Sequence, residues 1–339
     1  MIAMGLSLSA CTTINYVGIE TYNPGEVTFP ENVTKVLIVN NAVPQPEDMG
    51  YTYRLQGEKQ DSCTARTDSA IFDACRSLGI AIVDASYFND VLLYHAATRR
   101  DHQALSDKKL TQEQVAELCE ENDVDAVISI DRLLFQMTRD ERVLHEGFAI
   151  GMIDVKMSGV IRSYIPEREI PLATVLIQDS LYWTESATYL STVNRMLPTP
   201  DDALRTAGQY IGANAYINFV PHWVKETRWY YTGFSSSWKE ASAYASMKNW
   251  DRAEEKWNQI YRSSKSWKSQ AKAASNLALC YEINGDLEKA YEWAHKAYTL
   301  FEGKENEDEK TAHLLDLYVN ALSERLRLDK KLNTQIGDN

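Results

Sequence analysis

The sequence predicts an α/β (α+β) mixed-sheet N-terminal domain followed by an all-α domain of helical repeats. Three observations lead there. Short apolar runs such as "KVLIVN", residues 35–40, alternate with stretches of helical spacing, the order expected of helices layered on a sheet. A long period-two stretch with a polar turn inside it follows over residues 153–183. From residue 235 onward the spacing is helical, and one pattern returns after 37 residues, as from Ala241 to Ala278.

A chain of 339 residues accommodates two domains, each with its own core. The formal charge of -13 argues against nucleic acid as a partner, because affinity for a phosphate backbone comes largely from Lys and Arg. No internal stretch approaches the roughly 20 apolar residues that a membrane-spanning helix needs.

In chain order, "KVLIVN" reads as a strand buried on both faces. "DSAIFDACRSL", residues 68–78, is helical: Ile71, Cys75 and Leu78 share a face, Asp68 caps the start and Gly79 ends it. "IAIVD", residues 80–84, reads as a second buried strand. "TQEQVAELCEEN", residues 111–122, opens with a capping box, Thr111 with Gln114, and turns Val115, Leu118 and Cys119 inward. "DAVISIDRLLF" returns to strand. Ile153, Val155, Met157, Gly159 and Ile161 then alternate with polar residues, "PERE" at 166–169 turns the chain, and residues 172–183 run back. Residues 200–218 supply a covering helix with Asp201 and Asp202 in its first turn. "FVPHWVKETRWYY", residues 219–231, reads as a closing strand, Pro221 marking its start or an edge. In order and hydrophobic rhythm, residues 33–231 resemble the periplasmic domain of the curli-secretion and penicillin-binding-protein-activator lipoproteins.

Near the front, "LSLSACTT", residues 6–13, ends a short apolar run with small residues before a lone cysteine. Leu8-Ser9-Ala10-Cys11 resembles the lipobox of bacterial lipoproteins. That resemblance implies cleavage before Cys11 and acylation of its sulfur, residues 1–11 being part of a signal peptide. The basic start of a secretory signal is missing, so the true start lies upstream of Met1 or has been trimmed. The alternative is a cytosolic protein whose apolar tail happens to hold a cysteine. Each buried methylene adds about 0.8 kcal/mol of membrane affinity, so several chains on Cys11 make a permanent anchor. Residues 12–32 read as a tether. Some Bacteroidetes lipoproteins reach the cell surface through an acidic cluster after the acylated cysteine, and Thr12 to Tyr16 contain none. The resemblance thus implies an outer-membrane lipoprotein facing the periplasm, with the cell surface as the alternative.

The second domain, residues 235–332, carries a sharper pattern. In "NLALCYEINGDLEKAYEWAHKA", residues 276–297, Leu277, Ala278, Tyr281, Gly285, Asp286, Ala290, Ala294 and Ala297 stand where the tetratricopeptide repeat has its signature residues, so the segment resembles one such unit. Ala278 and Ala290 let two helices approach, Tyr281 fills the space beside them, and Gly285 with Asp286 makes the turn. Ala241, Tyr244, Trp250 and Ala253 occupy the equivalent places in the earlier copy, where Lys248 and Asn249 replace the turn pair. Residues 308–332 read as a capping helix. The whole chain resembles a Bacteroidetes lipoprotein family of unknown function that joins an α/β domain to tetratricopeptide-like repeats.

No catalytic pattern stands out. The six histidines show no metal-ligand spacing, and GxSxG, GxxxxGK[ST] and GxGxxG are absent, so no metal and no cofactor are expected. His95, His102 and Arg99 in "HAATRRDHQ" would share a helix face and could hold an anion, although a solvated helix surface or loop explains them more simply. Asp123, Asp125 and Asp131 read as turn and strand-entry residues. Cys63, Cys75, Cys119 and Cys280 read as small buried residues, with a Cys63–Cys75 disulfide as the alternative. Trp223, Trp229, Tyr230, Tyr231, Phe234 and Trp238 read as packing, with stacking on a sugar or a partner as the alternative. Alternation sets Trp223, Trp229 and Tyr231 on one side of their strand. The function expected is a non-catalytic, membrane-anchored scaffold that grips an envelope protein or peptide through its repeats. The alternative is a glycan-binding or cell-wall-active α/β domain, which two carboxylates converging in a cleft would mark.

Overall fold

The computed structural model describes residues 14–60, 64–144, 147–304 and 308–337; Cys11, Cys63 and His145 lie outside them. The chain forms two compact units: Gly25–His222, and the residues from Trp223 onward joined by those up to Pro24. The tether expected over residues 12–32 is, from Ile14 to Asn23, a strand, β1.

The mixed α/β unit contains β2 (Lys35–Asn40), β3 (Tyr51–Leu55), β4 (Glu58–Lys59), α1 (Asp68–Asp84), β5 (Asp90–Ala97), α2 (Gln112–Asn122), β6 (Ala126–Val143), β7 (Ala149–Tyr164), β8 (Ala173–Ala187), α3 (Leu190–Met196) and α4 (Pro200–Ala215). The long β6 is its spine. On one edge β6 pairs in parallel first with β2, from Val36↔Ala126 to Asn40↔Ile130, and then with β3, from Tyr51↔Met137 to Leu55↔Glu141. On the other edge it pairs antiparallel with β7, which pairs antiparallel with β8; β5 lies outside β2 in parallel. Between the ends of β2 and β3 the carboxamide of Gln45 stands in for a strand. Its Oε1 accepts the Phe135 N–H at 2.8 Å and its Nε2 donates to the Phe135 carbonyl at 3.0 Å.

α1 and α4 belong to the main core, on the face of the sheet that carries Ile38, Ile128, Phe135 and Val155. The two helices meet closely because Gly208 and Gly212 have no Cβ: one added there would lie 2.2 Å from the Ala70 carbonyl oxygen and 2.1 Å from that of Ala74. On the opposite face α2 buries Val115 and Leu118 against Leu37, Val39 and Val127. The capping box of α2 is formed, with Thr111 and Gln114 bonding reciprocally.

Two expectations are corrected here. "IAIVD" is not a strand, because α1 runs through Gly79 to Asp84. Ile71, Cys75, Leu78 and Ile82 extend one buried stripe at helical spacing, while Ile80 and Val83 are exposed. The second parallel strand is β5, which takes His95 onto a strand and leaves no helix face for His95 and His102 to share. The hairpin expected over residues 153–183 is present as β7 and β8, and the helix expected from residue 200 as α4.

The helical unit comprises β9 (His222–Tyr231), apart from its first residue, with α5 (Ser236–Ser246), α6 (Trp250–Ser263), α7 (Trp267–Ile283), α8 (Leu287–Phe301) and α9 (Glu309–Ile336). β9 does not close the large sheet; it pairs with β1 in a two-stranded ribbon. Five side chains, Ser235, Asn249, Ser266, Asp286 and Asp308, cap the five helices, each accepting an N–H in the first turn. Asn249 and Asp286 are equivalents in the repeating pattern. So are Lys248 and Gly285, which both adopt left-handed backbone, with φ of 58° and 83°.

Candidate binding cleft of the helical unit

α7 is buried almost all round, from Ala271 to Glu282. Part of that enclosure is the chain's own β9. The Asn276 carboxamide clamps the backbone of Tyr231, and Glu282 receives the Arg228 guanidinium through Nε and Nη2 at 2.9–3.1 Å. The polar positions that α7 would offer to a peptide are therefore occupied from within.

Glu282 is the centre of a buried charge cluster. Besides Arg228 it accepts from the Tyr318 hydroxyl at 2.8 Å and from Arg325 Nη1 at 2.6 Å, and Arg228 also pairs with Glu226. Burial, reinforced by the charge on Glu282, holds the Tyr318 phenol well above its ordinary range, so Tyr318 remains a donor. Two carboxylates balance two guanidiniums, which is what permits charge at this depth.

Above this cluster a cleft of about 450 Å³ opens. Val17, Gly18, Ile19, Glu20 and Tyr22 of β1 form one wall. Opposite them stand Lys248, Trp250, Ile283, Gly285 and Leu287, with Arg325, Asp329 and Leu332 of α9. Trp223, 67% exposed, lies beside Tyr22 with ring centroids 5.0 Å apart and planes inclined at 42°. Tyr22 is half-buried, whereas Trp223 is too open to solvent to belong to a core.

Ala241, Ala253, Leu277, Ala278, Ala290 and Ala297 are fully buried, and Tyr244, Trp250 and Tyr281 are half-buried against the same core. Of the aromatic cluster, Tyr230, Tyr231 and Trp238 are buried and Trp229 packs beside them, whereas Trp223 and Phe234 are exposed.

Other sequence candidates are structural. Asp125 accepts from the Thr34 and Lys35 backbone N–H groups, each at 2.8 Å, and Asp123 pairs with Lys35. Asp131 is buried among Arg162, Tyr164, Asn41 and Ser129, far from a paired-carboxylate arrangement with either. Arg99 is spent on Asp101 and on the carbonyls of Gln103 and Ser106, so it is not poised for an anion. Cys75, Cys119 and Cys280 are free and buried. Among the described residues no cluster of His, Cys, Asp or Glu is placed to hold a metal ion, and no helix is long and apolar enough to cross a membrane. The mixed α/β unit has a cavity of its own, about 620 Å³, on the sheet surface beside Gln136, Lys156, Gln178 and Ser180; Asp179 is the one carboxylate in its lining.

Residues 33–231 match a family described as Domain of unknown function (DUF8603), over more than half of the chain. The chain belongs to the DUF8603 family. Its residues 239–324 also match a second family, Domain of unknown function (DUF6340), which spans most of α5 to α9. The DUF8603 chain has no match among curated proteins. It is similar to the crystal structure of protein XCC0632 from Xanthomonas campestris, assigned to DUF330, at 11% identity over 58% of this chain and 94% of that one, with a TM-score of 0.23. A superposition that loose carries no argument about either fold or function.

The cleft could not be read from the sequence because its walls come from five separated segments. The exposed Trp223 was the one available signal, and alternation alone placed it with buried neighbours.

Proposed function

We propose that this protein is a non-catalytic interaction scaffold, tethered to the outer membrane through an acylated Cys11, that captures an envelope protein with the cleft of its helical unit. The observation that carries this reading is the exposed Trp223 beside the half-buried Tyr22 at the mouth of a cleft whose floor is a fully paired charge cluster. A floor of that kind is rigid, and rigid aromatic anchors dominate the energetics of protein recognition. The site is the cleft rather than the tetratricopeptide-like groove itself, since α7 is already engaged by β9. Catalysis finds less support, because the cavity of the mixed α/β unit offers a single carboxylate where general acid–base chemistry on a glycan uses two.

Affinity capture from native envelopes tests the proposal. Full-length protein, Trp223→Ala and Leu176→Ala serve as baits, Leu176 being an equally exposed apolar residue on β8. The expected result is a protein set retained by the first and third baits and lost from the second. Retention by all three would refute the cleft as the grip.

A further inference from the structure

We infer that the cleft receives an extended segment of a partner protein, which adds a strand to β1 and lays a lysine or arginine side chain on Tyr22 and Trp223. The inference rests on the reading of the cleft as a capture surface and names what it captures.

The strand edge comes first. β1 pairs with β9 and with no other strand among the described residues. Val17, Gly18, Ile19 and Glu20 line the cleft consecutively. Successive residues of a strand point to opposite faces, so a wall built from four in a row is an edge. An edge presents unpaired N–H and C=O groups at the spacing of an incoming strand. The face of the strand at Gly18 is open as well, since a Cβ added there would meet nothing within 4 Å. The outer strands of the large sheet differ: on β8 Asp179 accepts the N–H of Ser180, and on β5 Asp90 accepts that of Val91, each closing an edge donor with its own side chain. Among the described residues no side chain of β1 does this for its strand.

Charge selects the occupant. In the cleft Glu282 and Arg325 belong to the charge cluster that Arg228 and Glu226 complete. Glu20, Asp329 and Lys248 form no ion pair among the described residues, leaving two carboxylates against one ammonium. The faces of Tyr22 and Trp223 add the negative side of two ring quadrupoles, which attract a cation. A basic side chain on an extended backbone meets all three features, and an acidic one meets only the edge.

The test uses full-length protein and eight-residue acetylated, amidated peptides, followed by calorimetry. One alternates lysine with valine, a second alternates glutamate with valine, and a third is the lysine peptide N-methylated at alternate residues. The lysine peptide is expected to bind saturably. Glutamate replacement, N-methylation, Trp223→Ala and the Glu20→Gln, Asp329→Asn pair are each expected to weaken binding at least about tenfold, the scale of one lost cation–π contact or hydrogen-bonded edge. Thermal unfolding verifies that the exposed substitutions leave the fold intact. Equal binding of the glutamate peptide would overturn the basic partner, equal binding of the methylated peptide would overturn strand addition, and no binding of the lysine peptide would overturn both. Envelope capture that still depends on Trp223 while these peptides fail would leave the scaffold reading standing and remove this inference alone.

Discussion

The carboxamide of Asn276 holds both backbone groups of Tyr231: Oδ1 accepts its N–H at 2.7 Å and Nδ2 donates to its carbonyl, also at 2.7 Å. The contact is fully buried, and it ties β9 to α7 inside the helical unit. Gln45 treats Phe135 in the same way in the mixed α/β unit. In each case a side-chain amide supplies the donor and acceptor that a neighbouring strand would otherwise provide.

Replacing Asn276 with Ala strands a buried donor and a buried acceptor. A cost of about 2–6 kcal/mol is expected, from about 1–3 kcal/mol for each buried polar group left unpaired. Asn276→Asp keeps the acceptor and loses the donor, so it is also expected to destabilise. Urea unfolding monitored by tryptophan fluorescence measures both.

Gly212→Ala is expected to cost about 3 kcal/mol, the upper range of overpacking, because the new Cβ would fall 2.1 Å from the backbone oxygen of Ala74, which cannot rotate away. Thermal denaturation of the variant checks this. An unchanged midpoint would show that α1 and α4 are not held at this distance.

Lys248 and Gly285 make opposite statements about one turn. Both backbones are left-handed, and only glycine adopts that region without steric cost. Lys248→Gly is expected to stabilise by about 0.5 kcal/mol, and Gly285→Ala to destabilise by about 1 kcal/mol. The paired measurement separates the turn's own strain from any effect of the lost lysine charge.

Burial pushes the Cys75 thiol up to about 12 and the Cys119 thiol up to about 11. A raised thiol pKa means less thiolate, so at pH 8 neither side chain is expected to react with a disulfide reagent in the folded protein. In a Cys11→Ser, Cys63→Ser background, titration without denaturant is expected to find no reactive thiol, and titration in guanidinium to find Cys75, Cys119 and Cys280. Rapid reaction of the native protein would contradict the burial of these residues.

The elements legible in the sequence were those whose signals are local. The Thr111–Gln114 capping box, the β7–β8 alternation and the turn at Gly285 and Asp286 each lie within a few residues, and each stands where expected. The last turns of α1 are ambiguous because four apolar residues after a glycine, Ile80 to Val83, fit a buried strand as well as a helix, and the stripe through Ile82 decides between them only when traced back to Ile71. The β1–β9 ribbon is not legible in the sequence because its pairing joins segments some 200 residues apart, which no local pattern encodes. The cleft inherits that difficulty, since Tyr22 and Trp223 meet only once the ribbon forms.

Site-specific photo-crosslinking in living cells addresses the capture claim directly, with the reactive residue placed in turn at Gly18 and Lys248 in the cleft and at Leu176 outside it. The expected result is a shared crosslinked partner from the two cleft positions and none from Leu176. A partner that crosslinks from Leu176 and from no cleft position would contradict the account.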